Sequence, residues 1–156
     1  MVQGPAGDAY TRMDRMYRYQ RYVYDLTRKY YLFGRDRLIA ELPAQPGEHV
    51  CEVGCGTARN LIALAARFPE TQFFGVDASA EILKTAAVNV ARQRFQSRIK
   101  LAVGLAQDVS PAVFGLQRPF DRIIFSYALS IMDDWPEALE QALRQLKPGG
   151  TVHIVD

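Results

Sequence analysis

The sequence predicts a doubly wound α/β fold built on a parallel sheet. Three observations carry that expectation. From residue 35 onward, short apolar runs alternate with segments of helical periodicity. The runs are apolar throughout instead of at every second residue, which suits strands covered on both faces. The turns between them carry residues that end one element and start the next, such as Pro43, Pro46-Gly47, Gly54, Gly56, Pro111 and Pro148-Gly149. Strands alternating with helices pack as one parallel sheet with helices on both sides.

The elements follow in order. Residues 1–9 read as a loose leader. Between Tyr10 and Tyr31 there is no Pro or Gly, and Met13, Met16, Tyr17, Val23, Tyr24 and Tyr31 fall at helical spacing. One or two helices are expected there, interrupted near Asp25–Thr27. Gly34 breaks the pattern, and a further helix runs from about Arg35 to Leu42. HVCEVG (49–54) is a strand, residues 58–68 a helix, and TQFFGVD (71–77) a strand. Ser79 caps a helix to about Phe95. IKLAVG (99–104) is a strand, and Pro111 opens a short helix ending at Phe114. FDRIIFSY (120–127) is a strand. Asp134-Trp-Pro-Glu137 is a capping-box pattern with Pro in the first turn, opening a helix to about Leu146. LKPGG reads as a turn and TVHIVD (151–156) as a fifth strand. The expected order is 3-2-1-4-5. The fifth strand is left at the edge, so the chain reads as a truncated form of something longer.

A chain of 156 residues can build one domain with a real core. Two parts are expected: residues 1–34, a basic, aromatic helical lid, and residues 35–156, the sheet domain. A net charge of +2 is too small to demand a nucleic-acid partner. Its distribution says more. Residues 10–37 hold eight of the nineteen Lys and Arg, against three acids, and most of the tyrosines. Cys51 and Cys55 are expected as free thiols, in the wrong spacing for a metal site. His49 and His153 read as ordinary strand residues. No apolar run reaches the length of a membrane span and no signal peptide is visible, so a cytoplasmic protein is expected.

In such sheets ligands bind beyond the carboxyl ends of the strands. The first of these ends is CEVGCGTARN (51–60). Gly54 permits the sharp turn and Gly56 a close approach of ligand to backbone. A dinucleotide fingerprint would place a third glycine where Arg59 stands, and a P-loop would carry Gly-Lys-Ser/Thr. Both are absent, and Glu52 adds a negative charge that phosphate would avoid. A zwitterionic amino acid resolves the conflict: its carboxylate meets the amides at the helix start, and its ammonium faces Glu52. The second end is Asp77, 23 residues after Gly54. An acid at this place accepts hydrogen bonds from ribose hydroxyls. Ser79 is better placed for the helix cap, which leaves Asp77 for the ligand. An amino-acid zwitterion and a ribose together point to S-adenosyl-L-methionine, whose sulfonium also suits acidic surroundings.

Glu52-Val-Gly54-Cys-Gly56-Thr, Val76-Asp77 and Leu146-Lys-Pro-Gly-Gly150 resemble the motifs of class I S-adenosylmethionine-dependent methyltransferases. The resemblance covers residues 35 to 156 and implies a Rossmann-like sheet. It implies that Glu52, Gly54 and Gly56 hold the methionine part and that Asp77 holds the ribose, with Cys55 and Ala78 beside them. Ala58 stands where many members carry a third glycine. After the third strand many members carry Gly-Asp-Ala, whereas this chain reads Gly104-Leu-Ala-Gln-Asp108. Adenine recognition then passes to Ala106, Gln107 or Asp108. At the fourth strand end, Ser126 and Tyr127 are candidates for contact with the acceptor, Tyr127 as the catalytic candidate. Tyr24 is the candidate from the lid.

Residues 13–39, with Gly104-Leu-Ala and FSYALS, further resemble the bacterial diacylglyceryl-homoserine N-methyltransferases of betaine-lipid synthesis. This implies a lipid-headgroup amine as acceptor. Tyrosine faces attract the quaternary ammonium product, and a basic helix suits peripheral contact with an anionic membrane surface. The alternatives are a quinone or other small-molecule methyltransferase, or a cofactor-binding module without activity.

Overall fold

The computed structural model describes residues 32–156. The expected lid lies outside the described residues apart from its last three positions, and Tyr24 lies outside with it. Among the described residues the α-helices are α1 (Leu32–Glu41), α2 (Arg59–Arg67), α3 (Ala80–Arg92) and α4 (Trp135–Arg144). The strands are β1 (His49–Val53), β2 (Gln72–Asp77), β3 (Ile99–Val103), β4 (Phe120–Ser126) and β5 (Leu146–Val155). The five strands are all parallel, in the order β3-β2-β1-β4-β5. This is the order expected from the sequence. It reverses between β1 and β4, which fixes where a ligand crevice belongs.

The apolar strand runs bury side chains on both faces. Val50, Phe73, Ile99 and Ile124 pack with Leu61, Leu64 and Ala65 of α2 and with Leu83, Ala86 and Val90 of α3. Their sequence neighbours Cys51, Phe74, Ile123 and Phe125 pack on the opposite face with Val109 and with Ala142 of α4. Successive strand residues point to opposite faces, so each run supplies two cores. Glu52 shares parity with Val50 and therefore lies on the α2 side.

Three local expectations change. First, Gly34 does not break the helix but lies inside the first turn of α1. A Cβ there would stand 2.5 Å from Val155 Cγ2 and 2.7 Å from the Tyr127 hydroxyl. The glycine is needed for close approach to the ends of β4 and β5. Second, LKPGG is part of β5. Phe120 pairs with Leu146 but Arg122 with Thr151, so the extra residues bulge out between those pairs. Gly149 takes φ +77° inside the bulge. Third, Asp134 does occupy the N-cap of α4, yet its side chain makes no capping hydrogen bond. Ser79 caps α3 as expected, its hydroxyl accepting from the Ile82 amide at 3.3 Å.

Candidate functional site

The turn after β1 is built from left-handed backbone. Gly54 has φ +73°, Gly56 φ +54° and Ala58 φ +62°. At Ala58 a side chain is held where L-residues avoid going, at a cost of about 1–2 kcal/mol. The turn is fastened to β2. The Gly54 and Cys55 amides donate to the Val76 carbonyl at 2.8 and 3.1 Å. The Gly56 amide donates to Asp77 Oδ2 at 2.8 Å. The Ser79 amide donates to Asp77 Oδ1 at 2.9 Å. Asp77, at 1% exposure, therefore ties the glycine turn to the start of α3. The sequence reading left this carboxylate to a ligand alone; in the structure it also organises the backbone around it.

Both glycines are required, for different reasons. A Cβ on Gly54 would lie 2.8 Å from Ala128 Cβ, so the loop after β4 closes directly over the turn. Around Gly56, its chain neighbours aside, no heavy atom among the described residues lies within 4 Å of the Cβ position. That is open space beside a positive-φ backbone, a cradle for a ligand. The next helix, α2, starts without a side-chain cap, which leaves its first amides to an anion.

Glu52 is the most perturbed acid here. It is 2% exposed. Its Oε1 accepts from Asn60 Nδ2 at 2.6 Å, while Oε2 is buried with no hydrogen-bond partner among the described residues. Burial, with a smaller push from the negative Asp77, raises its carboxyl from an ordinary 4.5 to about 8; the Asn60 hydrogen bond and the positive Arg35 oppose the shift. Burial also raises the Cys55 thiol, so it is an inert packing group. Its sulfur lies 2.7 Å from where a Gly75 Cβ would be. Cys51 and Cys55 are both free.

The remaining candidates line neighbouring strand ends. Ala78 directly follows β2. Ala106 and Gln107 lie in a single helical turn, Ala106–Asp108, after β3. Gln141 Nε2 of α4 donates to the Val109 carbonyl at 2.8 Å and steadies that loop. Ser126 ends β4 at 7% exposure, its hydroxyl buried without a hydrogen-bond partner among the described residues. Tyr127 has φ +53° and donates its amide to the Val155 carbonyl at 2.7 Å. Its ring is turned toward α1, with the Arg35 guanidinium 5.6 Å from the centroid. The structure thus gathers Glu52, Gly54, Cys55, Gly56, Asp77, Ala78, Ala106, Gln107, Ser126 and Tyr127 along the carboxyl edge of β3-β2-β1-β4.

Two residues escaped the sequence reading. Asn60 is a polar residue on the buried face of α2, next to Leu61 and Leu64. That misfit was the available signal. Arg35 comes from α1, and its positive charge opposes the rise of the Glu52 carboxyl; nothing local in the sequence marks it.

Residues 50–150 match the family model described as a methyltransferase domain. The chain belongs to that family. The methyltransferase domain is 31% identical over 118 residues to a trans-aconitate 2-methyltransferase of Deinococcus radiodurans, covering 75% of this chain and 41% of that protein. It is 27% identical over 139 residues to a ubiquinone/menaquinone biosynthesis C-methyltransferase of Geotalea daltonii, covering 85% of this chain and 57% of that protein. The chain thus spans about half the length of these curated relatives. Among solved structures, a SAM-dependent methyltransferase from Geobacter sulfurreducens in complex with S-adenosyl-L-homocysteine superposes with TM-score 0.64 at 21% identity, over 78% of this chain and 46% of that one. The class expected from the glycine turn and Asp77 is borne out. S-adenosylmethionine, the cofactor expected from the same residues, is supported with it.

Proposed function

We propose that the protein is an S-adenosylmethionine-dependent methyltransferase acting on a small-molecule acceptor, with a quinone-type ring the favoured class. The observation that carries the cofactor half is the glycine turn, with Gly56 at positive φ and open space around its Cβ position among the described residues, following a strand that carries the buried acid Glu52. Burial holds the ligand-free carboxyl protonated up to about pH 8, and a cationic amino-acid ligand would favour the ionised carboxylate and supply it with donors. Glu52 would hold the ammonium, the α2 start and the glycine turn the carboxylate, and Asp77 the ribose. Ala106 and Gln107 would flank the adenine, with Cys55 and Ala78 packing beside the ligand. When bound, the cofactor supplies an electrophilic methyl group on a sulfonium. The protein's part is to orient and to exclude water, since in-line displacement needs alignment more than it needs a strong base. Ser126, whose hydroxyl points into buried space without a partner, and Tyr127 would position the acceptor.

The curated relatives favour this acceptor class over the diacylglyceryl-homoserine headgroup suggested by residues 13–39, most of which lie outside the described residues. No described helix is long and apolar enough to cross a membrane. Titration calorimetry with S-adenosylhomocysteine and with NADH tests the cofactor; tight binding of NADH alone would overturn the reading. Transfer of labelled methyl groups to a demethylated naphthoquinol, to trans-aconitate and to a bacterial lipid extract then tests the acceptor. Label in the naphthoquinol is the expected result. Label in the lipid alone would restore the headgroup reading, and cofactor binding without any turnover would favour a binding module.

A further inference from the structure

We propose that Asp156 is a positioning residue for the cofactor: acting through Ser130, it latches the loop after β4 down over the glycine turn. This rests on the reading of S-adenosylmethionine as the cofactor and adds to it a pair of residues outside the site described above. The loop spans residues 127–134, between β4 and α4. Its underside is apolar. Ala128 and Leu129 are buried in the core that Cys51, Val53 and Phe125 share, and Met132 packs against the same core. There the loop meets the turn. A Cβ on Gly54 would lie 2.8 Å from Ala128 Cβ and 3.5 Å from Met132 Cε. Any lifting of the loop therefore removes one wall of the turn that would hold the cofactor.

Two features of the loop call for outside support. It starts at Tyr127 with φ +53°, a region that an aromatic residue keeps only where its surroundings impose it. Its short helical turn, Leu129–Ile131, gets no side-chain cap from its own N-cap residue, Ala128. The end of β5 answers both. The Tyr127 amide donates to the Val155 carbonyl at 2.7 Å. The next residue, Asp156, supplies the cap. Its Oδ2 accepts from the Ser130 amide at 2.7 Å, and its Oδ1 accepts from the Ser130 hydroxyl at 2.7 Å. An early amide of a helical turn is where a capping oxygen bonds; here that oxygen comes from 26 residues away. Ser130 and Asp156 are both exposed, so water competes for these bonds and the latch is able to open. A purely structural tie would set the stability of the fold. A latch over the turn also sets the affinity of the ligand beneath it.

Two measurements test the latch: amide exchange at Leu129–Met132 in the ligand-free protein, and calorimetry with S-adenosylhomocysteine well below the melting temperature. Asp156→Ala should speed the exchange and weaken binding about tenfold, as expected for loss of hydrogen bonds to a charged group. Ser130→Ala keeps the amide bond and should weaken binding less; it also serves if the Asp156 variant does not fold. The double variant should bind no more weakly than Asp156→Ala alone, because the two residues act through each other. In Asp156→Asn the side chain still accepts from the amide and donates to the hydroxyl, so binding should stay within about twofold of wild type. Unchanged affinity in Asp156→Ala, with only the melting temperature lowered, overturns the proposal. So do additive losses in the double variant, and so does a failure of asparagine to rescue. The exchange measurement does not depend on what the turn binds. Unchanged exchange in a variant of a chain that binds S-adenosylhomocysteine refutes the latch alone, whereas a wild-type chain that does not bind it overturns the cofactor reading and the inference with it.

Discussion

Glu52 shows what burying a carboxyl costs in stability. Its carboxyl is raised from 4.5 to about 8, mainly by burial. A raised acid favours the protonated folded state. Its contribution is therefore fully present below about pH 4.5 and is lost as pH climbs toward 8. At about 1.4 kcal/mol per unit, several kcal/mol are at stake in the ligand-free protein. Glu52→Gln should flatten this part of the pH dependence and melt higher than wild type at pH 8, while binding S-adenosylhomocysteine more weakly. Thermal melts at pH 5 and pH 8 check it; parallel curves for the two proteins would show that Glu52 does not titrate in that window. Asp77 is a different kind of acid. It accepts from two backbone amides, so Asp77→Ala should lower both the melting temperature and the affinity for S-adenosylhomocysteine, the latter by about 1–3 kcal/mol. Calorimetry run well below the melting point separates the two effects, and unchanged affinity would refute its place in the ribose site.

At the scale of elements, the glycine turn is the part most dependent on backbone geometry. Gly54→Val would combine a φ of +73° with a Cβ 2.8 Å from Ala128. A β-branched residue there should abolish S-adenosylhomocysteine binding and push the loop after β4 away from β1. Calorimetry reads the first effect, and increased amide exchange at Ala128–Met132 reads the second. The turn, the strands and Ser79's cap were legible in the sequence because each is decided by neighbours within a few positions. The elements read differently were decided at longer range. Gly34 looked like a helix stop, but its bare Cα serves Tyr127 and Val155, more than ninety residues away. Pro148-Gly149-Gly150 looked like a turn, but pairing with β4 draws it into β5 as a bulge. The same limit applies to the site. Glu52, Gly56 and Asp77 are legible from spacing, whereas the charge of Arg35 is felt at Glu52 only because of where α1 packs.

In the whole molecule, the ligand edge and the stabilising edge lie at opposite ends of the sheet. At the amino-terminal end, Glu48 just before β1 meets Arg122 near the start of β4 in a two-pronged ion pair, with 2.7 and 3.0 Å bonds. Arg122 also donates to Thr151 Oγ1 of β5 at 3.0 Å. Beside it Asp121, at 3% exposure, accepts from the His49 amide at 2.7 Å and pairs with Lys147 and Arg118 at 2.6 and 3.0 Å. Burial alone would push the Asp121 carboxyl up, but these partners together hold it below the ordinary range. The two clusters clamp β1, β4 and β5 where no ligand is expected. Removing one member of a nearly buried pair strands the other charge and costs about 3–5 kcal/mol. Arg122→Met should therefore lower the unfolding free energy by an amount of that order, read as a lower urea midpoint. Adding Glu48→Gln should recover part of the loss, because the stranded charge goes with it. Arg122 pairs in register with Val50, two residues before Glu52, but its guanidinium is bonded to Glu48, four residues and roughly 13 Å from Glu52 along the strand, so affinity for S-adenosylhomocysteine should stay within about twofold of wild type under conditions where the variant is folded. A large loss of affinity in the folded Arg122→Met protein would mean that the two edges are coupled through β1, and that the clamp also sets the geometry of the turn.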